Sequence, residues 1–303
     1  MTLVPNLPED FDAFWNETLE QALNAPLDFE RKPGNAYNAP GFIIEIFRFT
    51  SVSGISLNGW IAIPKIDNRK STIENHPSFL WIPPYGRESM LPNAYGTREG
   101  FVSMSLNFFG HNAFHQEKYR KERGYFAEGV LDPRTWIFRR MFQDAVLAAR
   151  ILQEQPEVDP HKIGAMGMSQ GAGIAIWLGA FAPFIKAVCA DMPFMGGMSQ
   201  RLGQHIYRYP TKELIDFANQ APNGLETIKR TLSYFDTINV ATRCAKPTQV
   251  SLGEKDPASK PHSVEAIFNA LPGRKALKRY PIGHDWYPEM IPNNREWLLE
   301  GLK

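Results

Sequence analysis

The sequence is poor in cysteine and has no long hydrophobic run. Cys189 and Cys244 are the only cysteines among 303 residues, which excludes a disulfide framework and leaves at most a single bridge. No apolar run approaches the roughly 18 residues that a transmembrane helix needs, so we expect no membrane partner. Proline and acidic residues occupy the N-terminus, where a signal peptide needs a basic start and an apolar stretch. We therefore expect a cytoplasmic protein.

Charge of neither sign dominates, and the common metal and nucleotide motifs are absent. Lys and Arg number 33 against 32 Asp and Glu, which gives a formal net charge of +1. This balance argues against a nucleic-acid partner, because such proteins carry a basic stripe. The sequence contains no HxH, HExxH or paired-cysteine spacing and no glycine-rich phosphate loop. We therefore expect neither a metal nor a cofactor.

The order of hydrophobic patterns predicts the fold class. Hydrophobic residues make up 43% and charged residues 21% of the chain, which is ordinary for a soluble protein with a sizeable core. Strand-like runs lie at 42–49, 57–63, 78–82, 101–106, 162–166, 185–190, 249–252 and 276–280, and helical patterns follow Pro8 and lie at 136–153, 171–181, 263–271 and 286–301. Antiparallel strands followed by alternating strands and helices predict a single α/β domain over residues 1–303, with a mostly parallel central sheet flanked by helices. Residues 192–239, approximately, break the alternation and are interpreted as a cap-like insertion over the sheet edge.

One motif indicates chemistry. Gly167-Met168-Ser169-Gln170-Gly171 has the form G-x-S-x-G and lies between the predicted strand 162–166 and the predicted helix 171–181. A sharp strand-to-helix turn of this kind pushes the serine hydroxyl out above the sheet. It also directs the free N–H groups of the helix toward the point where an oxyanion would form. We predict that Ser169 is a nucleophile; the alternative is a glycine turn that packs the helix tightly on the sheet.

A nucleophilic serine needs a base and a carboxylate, in the chain order serine, acid, histidine for this arrangement. Asp256 lies just past the strand 249–252, at the sheet edge that carries the nucleophile. Glu254 lies two residues earlier, and spacing alone does not choose between the two acids. His284 follows the strand 276–280 and, among the seven histidines, it alone combines the right order with the right strand end.

Two backbone N–H groups must bind the carbonyl oxygen during attack. One belongs to Gln170, the residue after the nucleophile, and the other comes from the loop after the strand 78–82. Pro83-Pro84 opens that loop without N–H groups, so Tyr85 is its first available donor. Phe109, Tyr207 and Tyr209 are candidates for lining a sugar or acyl pocket, and core or lid packing is at least as good an interpretation of all three.

These motifs resemble the acetyl xylan esterase and cephalosporin C deacetylase family of α/β-hydrolases. The matching blocks run nearly end to end, at 8–15, 144–164, 167–171, 234–236, 252–256 and 280–284. The resemblance implies an α/β-hydrolase fold and a serine esterase that removes acetyl groups from small carbohydrate or related esters. By it, Ser169, Asp256 and His284 fall on the family's triad, and the amides of Tyr85 and Gln170 on its oxyanion hole. It also favours the aspartate over the glutamate two residues earlier.

The chain departs from the family pattern at three places. Phe109-Gly110-His111 stands where the family has Arg-Gly-Gln, Asp285 follows the histidine where the family has Glu, and Pro83-Pro84 replaces a His-Gly pair. These departures bear on the substrate and the quaternary structure more than on the serine chemistry. Because the family forms ring-shaped hexamers, the resemblance leaves a homo-oligomer open.

Three functional hypotheses follow. The first is a serine carboxylic-ester hydrolase that acts on a small-molecule ester through an acyl-enzyme. The second is an α/β-hydrolase that acts on peptides or lactones. The third is a non-catalytic scaffold of the same fold, against which the intact Ser, Asp and His argue.

Overall fold

A single mixed sheet forms the centre of the protein. The computed structural model describes residues 2–34, 37–65, 75–86, 91–114, 124–203 and 208–303. The strands are β1 (Phe29–Pro33), β2 (Phe42–Thr50), β3 (Ser56–Pro64), β4 (His76–Ile82), β5 (Val102–Asn107), β6 (Val158–Met168), β7 (Ile185–Asp191), β8 (Thr248–Gly253) and β9 (Lys275–Tyr280). Their order across the sheet is β1-β2-β3-β5-β4-β6-β7-β8-β9. The neighbouring pairs β1-β2, β2-β3 and β3-β5 are antiparallel. The remaining neighbours, β5-β4, β4-β6, β6-β7, β7-β8 and β8-β9, are parallel.

Helices cover both faces of the sheet. They are α1 (Phe11–Asn24), α2 (Ile137–Gln153), α3 (Gln170–Phe181), α4 (Met198–Arg201), α5 (Thr211–Ala218), α6 (Gly224–Phe235), α7 (Thr237–Ala241), α8 (Pro261–Ala270) and α9 (Met290–Gly301). α1, α2 and α3 pack together on one face, where α2 and α3 contact the central strands. α9 packs on the other face against β7. No helix in the described ranges is long and apolar enough to cross a membrane.

Aromatic side chains hold the first helical layer together. The Trp15 and Phe142 rings lie 5.0 Å apart, Phe142 and Trp177 also 5.0 Å apart, and Trp15 and Phe235 again 5.0 Å apart. These rings belong to α1, α2, α3 and α6 and are almost fully buried. Burial of each such side chain stabilises the fold by about 1.5–3 kcal/mol. The cluster therefore fixes α3, and with it the turn that precedes α3, against the rest of the core.

The strand order creates a crevice at one edge of the sheet. The chain runs from β4 outward to β5 and then returns past β4 to β6, so the direction of winding reverses between β4 and β6. The loops after two such strands turn away from each other at the carboxyl ends of the strands, and ligands bind in the crevice between these loops. Tyr85 follows β4 and Ser169 follows β6. Both residues therefore lie at this point.

The predicted α/β class is confirmed, and the predicted elements are present with shifted ends. β6 begins at Val158, four residues before the expected strand. β1 was not predicted, because its five residues are mostly charged and partly exposed and its formation depends on pairing with β2. The last helix begins at Met290 rather than at residue 286. The segment 192–239 contains α4, α5 and α6.

Candidate active site

Ser169 occupies the sharp turn between β6 and α3. Its backbone has φ 56° and ψ −117°, a left-handed conformation that is strained for a residue with a side chain. The flanking glycines permit this turn because the backbone passes very close to its neighbours. A Cβ on Gly171 would lie 2.1 Å from the Ile82 oxygen, and one on Gly167 would lie 2.4 Å from the carbonyl carbon of Gly171. The G-x-S-x-G pattern is thus a steric requirement of this turn.

Hydrogen bonds from the surrounding backbone hold the turn in place. The Ser169 N–H donates to the Asp191 carbonyl oxygen at 2.8 Å, which ties the turn to the end of β7. The Ser169 carbonyl accepts from the N–H groups of Phe194 at 3.0 Å and Gly173 at 3.2 Å. Such anchoring lets a strained conformation persist, since the cost of the strain is met by contacts outside the turn.

Asp256 and His284 form a close pair. Asp256 Oδ2 lies 2.6 Å from His284 Nδ1, and the other carboxyl oxygen, Oδ1, accepts from the N–H groups of Ala258 at 2.7 Å and Ser259 at 2.9 Å. The Asp256 carboxyl is buried, while 24% of the His284 side chain is exposed. The carboxyl is therefore fixed on one side by the backbone and directed on the other side at the imidazole. Glu254 is exposed.

The loops after β8 and β9 pack against each other and so bring this pair together. The Glu254 N–H donates to the Tyr280 carbonyl and the Lys255 N–H donates to the Ile282 carbonyl, each at 2.9 Å. Gly253 allows the approach, because a Cβ there would lie 2.4 Å from the Gly283 oxygen. Residues 28 positions apart in sequence thereby become hydrogen-bond partners.

Ser169 and His284 line the same cavity, which has a volume of about 660 Å³. Its other lining residues are Pro84, Tyr85, Met168, Phe194, Arg208, Tyr209, Pro210, Lys255, Pro257, Ala258, Gly283, Asp285 and Trp286. Gln170 is fully buried behind the cavity as the first residue of α3. Phe109 is not among the lining residues, and its ring packs against that of Tyr125. Tyr207 lies outside the described residues.

Comparison with known proteins identifies the family of this chain. A sequence profile described as Acetyl xylan esterase (AXE1) matches residues 4–297. The chain belongs to the acetyl xylan esterase family. It is accordingly a serine carboxylic-ester hydrolase with an α/β-hydrolase fold, and the resemblance found in the sequence is confirmed.

Individual relatives are distant in sequence and close in fold. The acetyl esterase Axe7A of Xylanibacter ruminicola is 22% identical over 314 aligned positions, which cover 98% of this chain and 68% of that protein. The acetyl xylan esterase from Paenibacillus sp. R4 superposes with a TM-score of 0.85 at 22% identity, covering 99% of this chain and 98% of that one. Acetyl xylan esterase 1 from Thermoanaerobacterium sp. JW/SL YS485 gives 0.83 at 23% identity, covering 100% and 96%.

Some residues of the cavity were not predicted from the sequence. Arg208 belongs to the segment between β7 and β8, where no repeat or spacing marks a site. Tyr209, the next residue, is one of the tyrosines that the sequence offers as pocket candidates, and it lines the cavity. Trp286 was assigned to a helix. It instead precedes the helix and packs against Trp81, with ring centroids 5.3 Å apart, and against Tyr95 at 5.0 Å. Its position two residues after the histidine was the only signal that could have indicated its place.

A buried polar network lies behind the turn. Asp191 accepts hydrogen bonds from the Ser251 hydroxyl and the Asn294 amide, each at 2.7 Å. Burial raises the pKa of this carboxyl, and the two hydrogen bonds and the charge of Arg98 oppose the rise. Burial likewise lowers the pKa of Arg98 to about 10. Asp191 does not line the cavity. Its bond with Ser251 instead joins the end of β7 to the end of β8.

No metal site is formed by the described side chains. In the ranges that the structure covers, no group of three or more His, Cys, Asp or Glu residues is arranged to hold a metal ion. The cavity itself presents the Ser169 hydroxyl and the His284 imidazole, which is paired with the carboxyl group of Asp256.

Proposed function

We propose that this protein hydrolyses esters of acetyl or other short acyl groups through a triad of Ser169, His284 and Asp256. The observation that carries the proposal is the 2.6 Å contact between Asp256 Oδ2 and Nδ1 of His284, a residue that lines the same cavity as Ser169. A carboxyl group at this distance favours the imidazole tautomer with its proton on Nδ1. The other nitrogen, Nε2, is then free to take a proton from a hydroxyl group.

The reaction proceeds in two halves. His284 takes the proton of Ser169 as the hydroxyl oxygen attacks the ester carbonyl, and the backbone N–H groups of Tyr85 and Gln170 bind the resulting oxyanion. The imidazolium then gives its proton to the departing alcohol, which leaves an acyl group on the serine. Water, activated by the same imidazole, releases the acid and restores the free enzyme.

The cavity suits a small substrate. Its volume of about 660 Å³ lies within the usual range for small-molecule sites. The residues of its wall include the aromatic Tyr85, Tyr209 and Trp286 and the charged Arg208 and Lys255. Rings of this kind provide flat apolar surface for a sugar face, and the charged groups provide hydrogen bonds to its hydroxyls. Together with the names of the relatives, this favours an acetylated carbohydrate or a similar small ester.

The test compares wild type with Ser169→Ala and with Ser233→Ala, a control serine on the surface of α6. The substrates are acetylated xylose, p-nitrophenyl esters of two to eight carbons, and an aminoacyl p-nitroanilide. We expect Ser169→Ala to lose about 10⁴- to 10⁶-fold in kcat and the control to lose nothing. Short esters should be preferred over long ones. Faster cleavage of the anilide would instead indicate a peptidase, and hydrolysis that survives in Ser169→Ala would disprove the nucleophile.

A fluorophosphonate probe distinguishes an enzyme from a scaffold. The probe reacts with a serine only where a base activates it, so we expect labelling of Ser169 in the folded protein and none after Ser169→Ala. Folded wild-type protein that remains unlabelled and inactive would favour the scaffold hypothesis.

A further inference from the structure

Tyr125 connects the two segments that supply the proposed oxyanion donors. Its hydroxyl donates to Gln170 Oε1 at 2.9 Å and accepts from the Gly86 N–H at 3.2 Å. Its ring packs against the ring of Tyr85, with centroids 4.8 Å apart. One side chain thus contacts both the loop after β4, at Gly86, and the first residue of α3, Gln170. These two residues are 84 positions apart in sequence. Only 1% of Tyr125 is exposed.

The bond from Tyr125 is the principal restraint on the Gln170 side chain. Gln170 is fully buried, and in the described part of the chain its amide nitrogen, Nε2, has no hydrogen-bond partner. Its amide oxygen accepts from Tyr125. A buried side chain held at a single polar atom depends on that contact for its orientation, since no second bond restores it. The residue that this contact orients is also the one whose backbone N–H is a proposed oxyanion donor.

Tyr125 is in turn fixed from behind. Its ring packs against Phe109 with a centroid separation of 4.5 Å. The backbone on either side of it is held by the buried carboxylate of Glu213, which accepts from the N–H groups of Gly124 at 2.7 Å and Ala127 at 2.9 Å. Glu213 is 1% exposed and belongs to α5. Tyr125 is thus held rigidly enough to hold other groups.

We propose that Tyr125 is a positioning residue that keeps the backbone N–H groups of Tyr85 and Gln170 aimed at one point. The proposal rests on the function proposed above, because only that function gives the two N–H groups a shared task. Loss of one oxyanion donor typically costs about 10²–10³-fold in kcat, and a misplacement of about 1 Å costs about 10²-fold. Tyr125 acts through the donors without contacting substrate, so removal of its hydroxyl should cost about 10-fold or more.

The test is Tyr125→Phe, which removes the hydroxyl and keeps the ring. We expect kcat for p-nitrophenyl acetate to fall by about 10- to 100-fold, with KM within about twofold of wild type. Affinity for a trifluoromethyl ketone, which binds as an oxyanion adduct of the serine, should fall by a similar factor. The control is Tyr234→Phe, which removes a partly buried hydroxyl bonded to Asp10, on a residue that does not line the cavity. The control should keep both quantities within about twofold of wild type.

A double-mutant cycle with Gln170→Leu shows whether Tyr125 acts through Gln170. Gln170→Leu keeps the backbone N–H and removes the side-chain bond, so the double variant should lose no more than the more impaired single variant. The proposal is overturned if the losses in kcat of the two single variants multiply in the double variant. It is also overturned if kcat for Tyr125→Phe stays within twofold of wild type, or if Tyr234→Phe loses as much as Tyr125→Phe. If Tyr125→Phe does not fold, unchanged ketone affinity in Gln170→Leu overturns it, and reduced affinity supports it. Failure of the proposed function is distinguishable, because wild type itself would then show no hydrolysis that depends on Ser169.

Discussion

Replacement of Asp256 by asparagine should trap His284 in the wrong tautomer. Two backbone N–H groups donate to Oδ1, at 2.7 Å and 2.9 Å, so that position accepts only an oxygen. The amide oxygen of an asparagine must therefore occupy it, which places the NH₂ group where Oδ2 now lies, 2.6 Å from His284 Nδ1. An NH₂ group can only donate, so Nδ1 must become the acceptor. The imidazole proton then moves to Nε2, and the ring cannot take a proton from the serine.

The expected loss follows from this exchange. An amide at the corresponding position of a Ser-His-Asp triad lowers kcat by about 10⁴-fold, which equals about 5.5 kcal/mol of activation free energy. The two groups have the same shape and the new side chain satisfies the same backbone donors. We therefore expect the thermal stability of Asp256→Asn to stay close to that of wild type.

The assay is kcat/KM for p-nitrophenyl acetate at pH 7–8, with the unfolding temperature measured in parallel. Glu254→Gln is the matched control, since it makes the same chemical change two residues away on an exposed side chain. We expect the control to retain wild-type activity. A loss below about tenfold in Asp256→Asn, or an equal loss in Glu254→Gln, would refute the assignment of the acid.

Three other predictions concern stability and reactivity. Gly171→Ala should destabilise the protein strongly in urea titrations, because the new Cβ would lie 2.1 Å from the Ile82 oxygen. Gly173→Ala on the same helix is the control, since the atom nearest to its Cβ lies at 3.2 Å. It should change the free energy of unfolding by no more than about 1 kcal/mol. Burial raises the pKa of Asp144 from 3.8 to about 7, so the folded protein holds this proton more tightly than the unfolded chain, and the contribution of Asp144 to stability falls as the pH rises through this range. Asp144→Asn lacks this dependence, and its stability relative to wild type should increase by about 2–3 kcal/mol between pH 5 and pH 8; a constant difference in urea titrations would contradict the assignment. Both cysteines are buried and burial raises the pKa of both thiols, so Ellman's reagent should modify neither in native protein and both in urea.

Much of the fold could be predicted because the buried strands are short apolar runs. Strands 185–190 and 249–252 were found to within one residue at each end, since both are covered on both faces and their side chains are almost all buried. β1 shows the limit of this approach. Its Arg31 pairs with Glu45 of β2 and with Glu157, and these partners lie far away in sequence. A charged edge strand of this kind carries no local signal.

The candidate site likewise has parts that could be predicted from the sequence and parts that could not. The strand-to-helix turn at Ser169 and the strand-end position of His284 could be predicted, because each depends on residues close in sequence. For Phe109 the sequence leaves pocket lining and core packing open, and the structure packs its ring against Tyr125. That placement depends on how the loop after β5 meets the segment before α2, for which the sequence carries no periodic pattern.

The position of the sharp turn follows from local residues alone, because backbone sterics are local and the glycines around Ser169 encode them directly. The packing of distant segments fixes which acid meets the histidine, which residues form the cavity wall, and which side chain joins the loop after β4 to the start of α3. The Asp256–His284 and Tyr125–Gln170 contacts span 28 and 45 positions of sequence. Contacts of that range arise only when the sheet and its helices pack, since packing alone brings separate loops to the same edge.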